Sequence, residues 1–258
     1  MNNDFRVAKR YIPLLSELIK RDLKIKYRRS FLGYLWSLMN PLLMMWILTL
    51  VFSYVFRFDI ANYPLYLITG QIVFNFFSES TTIAMSSIIN NTALLKKVYL
   101  PKVVFPLASI ASSFVNMLFS LTAIFIVMLA TDVRFSSTLI ILPIGLLLLF
   151  VFSVGVGLVV SALAVYFRDL FHLYSVLLTV LSFATPIFYP VNIIPEDLQY
   201  ILQYNPLYYM VSFFRQIILY DTVPSACEIS ICTFISLAAF TIGLIIFKKM
   251  QNQFVMYI

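Results

Sequence analysis

The chain has 258 residues, of which 62% are hydrophobic and 11% are charged, and its formal net charge at pH 7 is +7. A soluble domain is about half apolar and about a quarter charged, so this composition excludes a water-soluble globular protein. The length accommodates several membrane spans and their loops, with no room for a separate soluble catalytic domain.

The first predicted element is an amphipathic helix over residues 11–31, within a cytoplasmic N-terminal region of residues 1–33. Its apolar positions recur at intervals of three or four: Ile12, Leu15, Ile19, Leu23 and Tyr27. Much of the remaining circumference is basic: Lys20, Arg21, Lys24, Arg28 and Arg29. The pattern predicts a helix on the inner leaflet, which either anchors the chain to lipid or also contacts a cytoplasmic partner.

Six apolar stretches follow, most of them close to the length of about 20 residues that a bilayer-spanning helix requires. They cover residues 35–56, 68–89, 103–130, 138–165, 173–189 and 229–247. None alternates as a barrel strand would, so all six predict helices. The predicted fold class is an all-α polytopic membrane protein in contact with membrane lipids, with a transmembrane domain over residues 34–258.

The positions of the basic residues predict the orientation of the chain. Half of the 18 precede the first span, and six follow the second, fourth and last spans: Lys96, Lys97, Lys102, Arg168, Lys248 and Lys249. The opposite side carries only Arg57, Arg134 and Arg215. By the positive-inside rule, both termini are therefore cytoplasmic. Because the basic N-terminus adjoins a span, a juxtamembrane role is favoured over nucleic-acid binding.

Two segments between the spans have unusual compositions. In residues 90–106, lysines and prolines flank a short apolar piece, which predicts either a docking element or a loop whose lysines reach the lipid headgroups. In residues 190–220, Asn205-Pro206 precedes an apolar, aromatic stretch that Arg215 interrupts. Short helices that dip back into the outer leaflet fit this second segment better than a complete crossing.

Glu79 is the acidic residue that lies well inside a predicted span. Intramembrane carboxylates are costly, so it either faces an aqueous path or forms hydrogen bonds with a neighbouring helix. Aromatic residues gather near the predicted outer face, either as a belt at the headgroups or as a stacking track for sugar rings. The candidate path residues are Tyr63, Tyr66, Phe74, Phe77, Glu79, Tyr189, Tyr204, Tyr208, Tyr209 and Phe213.

Several kinds of chemistry are missing from the sequence. None of the six glycines is followed by Lys, so the phosphate-binding pattern G-x-x-x-x-G-K-[S/T] is absent and ATP hydrolysis requires another chain. One His and scattered acidic residues predict no metal site. No span offers paired catalytic groups, which disfavours an intramembrane enzyme, and we assign no catalytic residue.

Five segments carry a resemblance to a known family. They are RDLKIKYRRSFLGYLWSLMNPLL (21–43), LLKKVYLPKVVFPL (94–107), YFRDLFHLYSVLL (166–178), ATPIFYPVNIIP (184–195) and YNPLYYMVSFFRQIIL (204–219). In this order they resemble the permease subunits of ABC-2 type exporters, which move cell-surface polysaccharides such as O-antigen, teichoic acid and capsule chains.

The resemblance implies a homodimer of six-span subunits in the bacterial cytoplasmic membrane, with two copies of a cytoplasmic ABC ATPase that bind ATP and Mg. Its cargo would be a lipid-linked polysaccharide; export of a small lipophilic drug or a lipid is the alternative. The ATPase would contact the amphipathic helix and a coupling segment: Leu94, Leu95, Lys96, Lys97, Val98, Tyr99, Leu100 and Pro101. Arg168 and Asp169 match a charged pair at the cytoplasmic end of the fourth span, where we expect them to cap or pair.

Overall fold

A computed structural model describes residues 2–28, 33–53, 60–98 and 100–254, without the side chains of residues 2–10, 196, 198 and 201. Tyr99 of the predicted coupling segment therefore lies outside the described residues. The described part contains ten α-helices and no strand, which confirms the all-α prediction. The helices are α1 (Asn2–Tyr27), α2 (Leu35–Val51), α3 (Tyr63–Asn90), α4 (Thr92–Lys97), α5 (Val104–Ala130), α6 (Leu142–Tyr166), α7 (Leu170–Ala184), α8 (Glu196–Gln203), α9 (Pro206–Ile218) and α10 (Ala226–Met250).

Four segments of the described part are long and apolar enough to cross a membrane: Tyr63–Asn90, Val104–Ala130, Ser137–Tyr166 and Ala226–Gln253. Two further predicted spans correspond to shorter apolar helices. With 17 residues in α2 and 15 in α7, these helices are about 26 Å and 22 Å long, against about 30 Å of hydrocarbon. The six-span prediction is thus confirmed for four helices.

The helix α7 ends earlier than the apolar pattern predicts. The predicted span continues to residue 189, whereas α7 stops at Ala184 and Thr185 is extended, with φ −96° and ψ 128°. Pro186 explains this end, because a proline disfavours the helical conformation of the residue before it.

Polar side chains cap the starts of three helices. Asn62 accepts a hydrogen bond from the Leu65 backbone N–H (3.3 Å) at α3, and Asn205 accepts one from Leu207 (3.0 Å) at α9. The predicted helix start at Asn205-Pro206 is therefore confirmed. At α10, Ser225 and Glu228 form a capping box, in which each side chain accepts from the other residue's backbone N–H.

The core lies where α6 packs against α10 and α3, with α5 and α9 completing it. The α6 and α10 backbones approach directly, because a Cβ atom added to Gly155 would lie 2.3 Å from the carbonyl carbon of Ala239. One added to Gly243 would lie 2.3 Å from the Gly155 carbonyl oxygen. Small residues at such a crossing are typical of packed membrane helices.

The amphipathic helix α1 packs by one side on the start of α5. Leu18, 5% exposed, forms a cluster with Val104, Phe105 and Ala108, and other apolar residues of α1 and of residues 94–100 surround it. Ile12, which the pattern placed on the apolar side, is 59% exposed, so its predicted place against the inner leaflet stays a prediction. The stripe that is covered is the neighbouring one: Tyr11, Leu14, Leu15, Leu18 and Ile19.

The loops meet at two opposite ends of the bundle. At one end, the Lys102 ammonium donates to the Gln251 carbonyl, and the Tyr166 hydroxyl donates to the Met250 carbonyl (2.8 Å). At the other, Asn62 donates to Thr131 (2.9 Å). The loops predicted to share a side of the membrane are therefore neighbours.

Candidate functional site

One face of α3 is polar along most of a candidate membrane span. Asn75, Ser78, Glu79, Thr82 and Ser86 follow the spacing of a single helix face. Asn75 and Thr82 are exposed, and the other three are half-buried. Polar groups are costly against hydrocarbon. This face is therefore suited to water, to a polar cargo or to another protein surface.

Three cavities adjoin this face, and Glu79 lines all of them. Their volumes are about 260, 520 and 710 Å³. Together they form a polar groove, which we define by these lining residues: Asn40 of α2; Gln71, Asn75, Ser78, Glu79, Thr82, Ser87 and Asn90 of α3; and Ser109, Ser113 and Asn116 of α5.

The end of α1 crosses the polar groove. Lys26 Nζ lies 2.6 Å from Glu79 Oε1, and Asn116 Nδ2 donates to the same oxygen at 3.4 Å. The Tyr27 hydroxyl donates to Asn116 Oδ1 (2.8 Å) and is also hydrogen-bonded to the Ser37 hydroxyl. Glu79 thus lines the groove and is also bound by neighbouring helices. The two interpretations of this residue, that it faces an aqueous path and that it bonds to a neighbouring helix, are therefore compatible.

This contact lies far from either end of α3. Glu79 is eleven residues before the end of α3 at Asn90, a distance of about 16 Å along the helix axis. Arg21, six residues before Tyr27 in α1, donates to Asn91 Oδ1 (2.9 Å) at that end. The second half of α1 therefore runs from the loop toward the middle of α3.

Two buried atoms at the groove have no hydrogen-bond partner among the described residues. They are Gln71 Oε1 and Ser113 Oγ. Buried polar atoms are rarely left unpaired. Both residues line the groove, so these unpaired atoms lie in its wall, beneath the exposed surface.

A second polar cluster holds the chain between α7 and α8. The Tyr63 hydroxyl donates to the Phe188 carbonyl (2.7 Å), and the Tyr66 hydroxyl donates to the carbonyls of Pro186 (3.1 Å) and Tyr189 (2.8 Å). Arg215 of α9 donates to the Pro186 carbonyl (2.7 Å) from the other side. We call Tyr63, Tyr66 and Arg215 the arginine clamp.

The arginine clamp depends on Gly70. A Cβ atom at this position would lie 2.7 Å from Arg215 Nη2. The guanidinium therefore packs directly on the α3 backbone, where it also lies 3.4 Å from the Tyr66 ring centroid.

The predicted aromatic path residues have different surroundings. Phe74, Phe77 and Phe213 belong to the packed core, and Tyr63 and Tyr66 belong to the arginine clamp. Tyr189, Tyr208 and Tyr209 are half-buried, whereas Tyr204 is 83% exposed. Core packing accounts for the three phenylalanines in this structure. A role in the path for the tyrosines stays a prediction.

The predicted coupling segment has an inner and an outer side. Leu94, Leu95 and Leu100 pack toward α1 and α5, whereas Lys96, Lys97 and Val98 are exposed and Pro101 is half-buried. Burial lowers the pKa of the neighbouring Lys102. The segment thus links an exposed surface to the two helices behind it, and its role in coupling stays a prediction.

The predicted interface-helix residues also divide. Leu15 and Ile19 pack on α5, while Leu23 is half-buried. Lys24 and Arg28 are exposed, and Arg21 and Tyr27 reach the hydrogen-bond partners described above. The apolar side of α1 therefore packs on α5, whereas Lys24 and Arg28 on its basic side are exposed.

Arg168 and Asp169 are exposed at the turn between α6 and α7. Within the described chain they form no ion pair, and the Asp169 side chain caps no backbone N–H although it occupies the N-cap position of α7. The expected capping is not found within this chain. Their role as a charged pair at the cytoplasmic end of the fourth span stays a prediction.

Asn116 and Asn40 were missed by the sequence analysis. Their signal was present, since each is an amide inside or beside an apolar run, as Glu79 is a carboxylate inside one. The partner of Glu79, Lys26, had no such signal because 53 residues separate the two.

The profile of the ABC-2 type transporter family matches residues 13–219. The chain belongs to this family. The O-antigen export system permease protein RfbA of Klebsiella pneumoniae is 33% identical over 245 residues, which cover 93% of each chain. Its counterpart from Myxococcus xanthus is 30% identical over 95% of each chain. The polysialic acid transport protein KpsM of Escherichia coli is 24% identical over 91% of this ABC-2 chain and 92% of its own.

Proposed function

We propose that this chain is the permease subunit of an ATP-driven exporter of a lipid-linked polysaccharide, such as O-antigen. It carries the cargo from the cytoplasmic to the outer face of the bacterial inner membrane. The observation that carries this proposal is the polar face of α3, because a hydroxyl-rich polymer needs hydrogen-bonding groups along a membrane span. The names of the relatives support the cargo class.

The polar groove suits a neutral, hydroxylated cargo. Most of its polar lining consists of amides and hydroxyls, which both donate and accept hydrogen bonds as sugar hydroxyls do. Many such bonds of modest strength let a polymer move past without being trapped, as successive weak sites do in channels.

The subunit functions as a homodimer in this proposal. An exposed row that includes Asn75 and Thr82 is unfavourable against lipid, and a second copy would enclose it around an aqueous path. Both subunits contribute six spans, with α2 and α7 as the two short ones, and both termini are cytoplasmic. The helices α8 and α9 are re-entrant at the outer face.

Two cytoplasmic ATPase subunits, which bind ATP and Mg, supply the energy. They contact the exposed side of α4 and the basic side of α1. Since the inner side of residues 94–100 packs on α1 and α5, a push on α4 reaches the end of α1. Displacing that end separates Lys26 from Glu79 and opens the polar groove to the cytoplasm.

The test uses a strain that lacks this permease, complemented with wild type, Thr82→Leu or Thr241→Leu. Both threonines are exposed on candidate spans, but only Thr82 lines the polar groove. At matched membrane levels, we expect Thr82→Leu to reduce surface polysaccharide several-fold and the control Thr241→Leu to restore it fully.

Normal surface polysaccharide in the uncomplemented strain would refute the cargo class and direct attention to export of a small lipophilic drug or a lipid. Full restoration by Thr82→Leu would leave the cargo class intact and refute the polar groove as its path.

A further inference from the structure

A separate cavity of about 450 Å³ lies beside the arginine clamp, away from the polar groove. We call it the arginine cavity. Its side chains come from the start of α3, from α9 and from the loops around them: Ile60, Ala61, Tyr66, Pro190, Val191, Asn192, Tyr208, Ser212, Arg215 and Tyr220. Within the part of the chain that the structure describes, this lining includes one cation and no acidic residue.

Among the described residues, Arg215 has no acidic partner there. Its side chain is 5% exposed and donates four hydrogen bonds, all to carbonyl groups, of Tyr66, Pro186 and Ile187. No carboxylate of the described residues forms an ion pair with it. Carbonyl groups satisfy the donors without cancelling the charge, and a buried charge without a counter-ion is costly.

Further donors face the same space. The four bonds use four of the five N–H groups of a guanidinium, which leaves one on Nη1. The side chains of Asn192, Tyr208 and Ser212 make no hydrogen bond with other described residues, and each carries an N–H or O–H donor. A cation surrounded by unused donors is complementary to an oxyanion.

We propose that the arginine cavity binds a single oxyanion, either the carboxylate of an acidic sugar or the phosphate of a lipid headgroup. The oxyanion supplies the counter-charge that Arg215 lacks and accepts bonds from Ser212, Tyr208 and Asn192. The rings of Tyr208 and Tyr220 provide apolar faces against which a sugar ring packs. The site is a property of this chain whichever cargo the transporter carries.

Ser212 allows a test that leaves the arginine clamp intact. It lies three residues before Arg215 on α9, so a carboxylate at this position can pair with the guanidinium within the chain. Ser212→Asp therefore fills the site with a built-in anion. Ser212→Asn has nearly the same size and no charge, which makes it the matched control.

The full-length permease is purified in a phosphate-free non-ionic detergent, and thermal unfolding is followed with methyl glucuronide or the neutral methyl glucoside. We expect glucuronide, and not glucoside, to raise the melting temperature of wild type and Ser212→Asn. In Ser212→Asp, the apparent affinity for glucuronide should fall at least tenfold. Without ligand, this variant should melt above Ser212→Asn.

A second preparation adds phosphatidylglycerol to this detergent and distinguishes the two sources of the oxyanion. If the lipid phosphate occupies the cavity, this lipid stabilises wild type and removes the response to glucuronide; if it does not, the response persists. The proposal is overturned if neither glucuronide nor phosphatidylglycerol stabilises wild type, or if Ser212→Asp responds as Ser212→Asn does. Both measurements use purified protein, so they stand apart from any failure of polysaccharide export.

Discussion

At the scale of single residues, Glu79 is where the N-terminal helix meets the candidate path. Its carboxylate is bound by Lys26 of α1 and by Asn116 of α5, and it lines three adjoining cavities. Each partner of the ion pair is more than a third exposed, so water screens the attraction and limits its contribution to stability.

We predict that Lys26→Ala and Glu79→Ala are coupled in a double-mutant cycle. The double variant should be more stable than the sum of the single effects indicates, by up to about 1 kcal/mol, because each single variant already breaks the ion pair. Thermal unfolding of the purified permease in nanodiscs measures this. The control cycle pairs Glu79→Ala with Lys24→Ala, an exposed cation of the same helix, and should be additive. Equal coupling in both cycles would contradict the specific contact.

The sequence identified Glu79 but neither of its partners. An isolated carboxylate in an apolar run can be recognised from the sequence alone. Its pairing cannot, because it depends on the angle at which α1 packs against α3 and α5. The same limit applies to the helix α1, where the pattern does not show which apolar residues another helix covers. Two adjacent stripes of α1 are apolar, and α5 covers the one that contains Leu18.

At the scale of helices, α4 has one side that packs against this chain and one side that is exposed. Its leucines contribute to the packing of α1 on α5, while Lys97 and the adjoining Val98 remain exposed. The apolar piece that suggested a docking element is therefore largely covered by this chain itself. The exposed side, with Lys96, Lys97 and Val98, is the one that our proposal assigns to the ATPase.

We predict that two charged substitutions in α4 change different properties, the first stability and the second ATPase binding. Leu95→Asp should destabilise the permease by about 2 kcal/mol or more, because it places a carboxylate in an apolar contact. Lys97→Glu should change stability by no more than about 0.5 kcal/mol, yet reduce the ATPase that co-purifies with the permease. Melting curves and pull-down of the ATPase by tagged permease measure both quantities. The assignment is wrong if Lys97→Glu retains wild-type ATPase binding, or if Leu95→Asp melts with wild type.

Helix starts were easier to predict than helix ends or angles. Asn205-Pro206 is a local signal, since a side-chain cap and a proline act within one turn. The extent of α7 was overestimated because apolar composition continues beyond the proline that ends the helix. The arginine clamp had no sequence signal beyond an interrupting charge, because its acceptors are backbone carbonyls 28 to 149 residues away.

At the scale of the molecule, the two ends of the bundle correspond to the two predicted sides of the membrane. Loops that carry Lys102 and the residues after α10 meet at one end, and those near Asn62 and Thr131 meet at the other. Contacts sort the loops into two groups, and the excess of basic residues assigns one group to the cytoplasm.

We predict that an impermeant thiol reagent added to intact cells labels Arg134→Cys and does not label Lys97→Cys. Both positions are exposed, and the background lacks Cys227 and Cys232. Arg134 is preferable to Asp132, whose φ of 53° would strain a cysteine. Lys97→Cys should react once the membrane is permeabilised, which shows that the thiol itself is reactive. Labelling of Lys97→Cys in intact cells would invert the orientation.

The docking of α1 between α3 and α5 also sets an order of assembly. Tyr27 binds Asn116, so its partner is synthesised 89 residues later, roughly 4 to 18 s at about 5–20 residues per second. During that delay α5 is not yet present to pack on the apolar side of α1. The basic residues of α1 favour binding to the membrane surface, where the lipid buries this apolar side. The helix α1 is thus made before the surface that covers it, and it reaches its place only after α5 has been made.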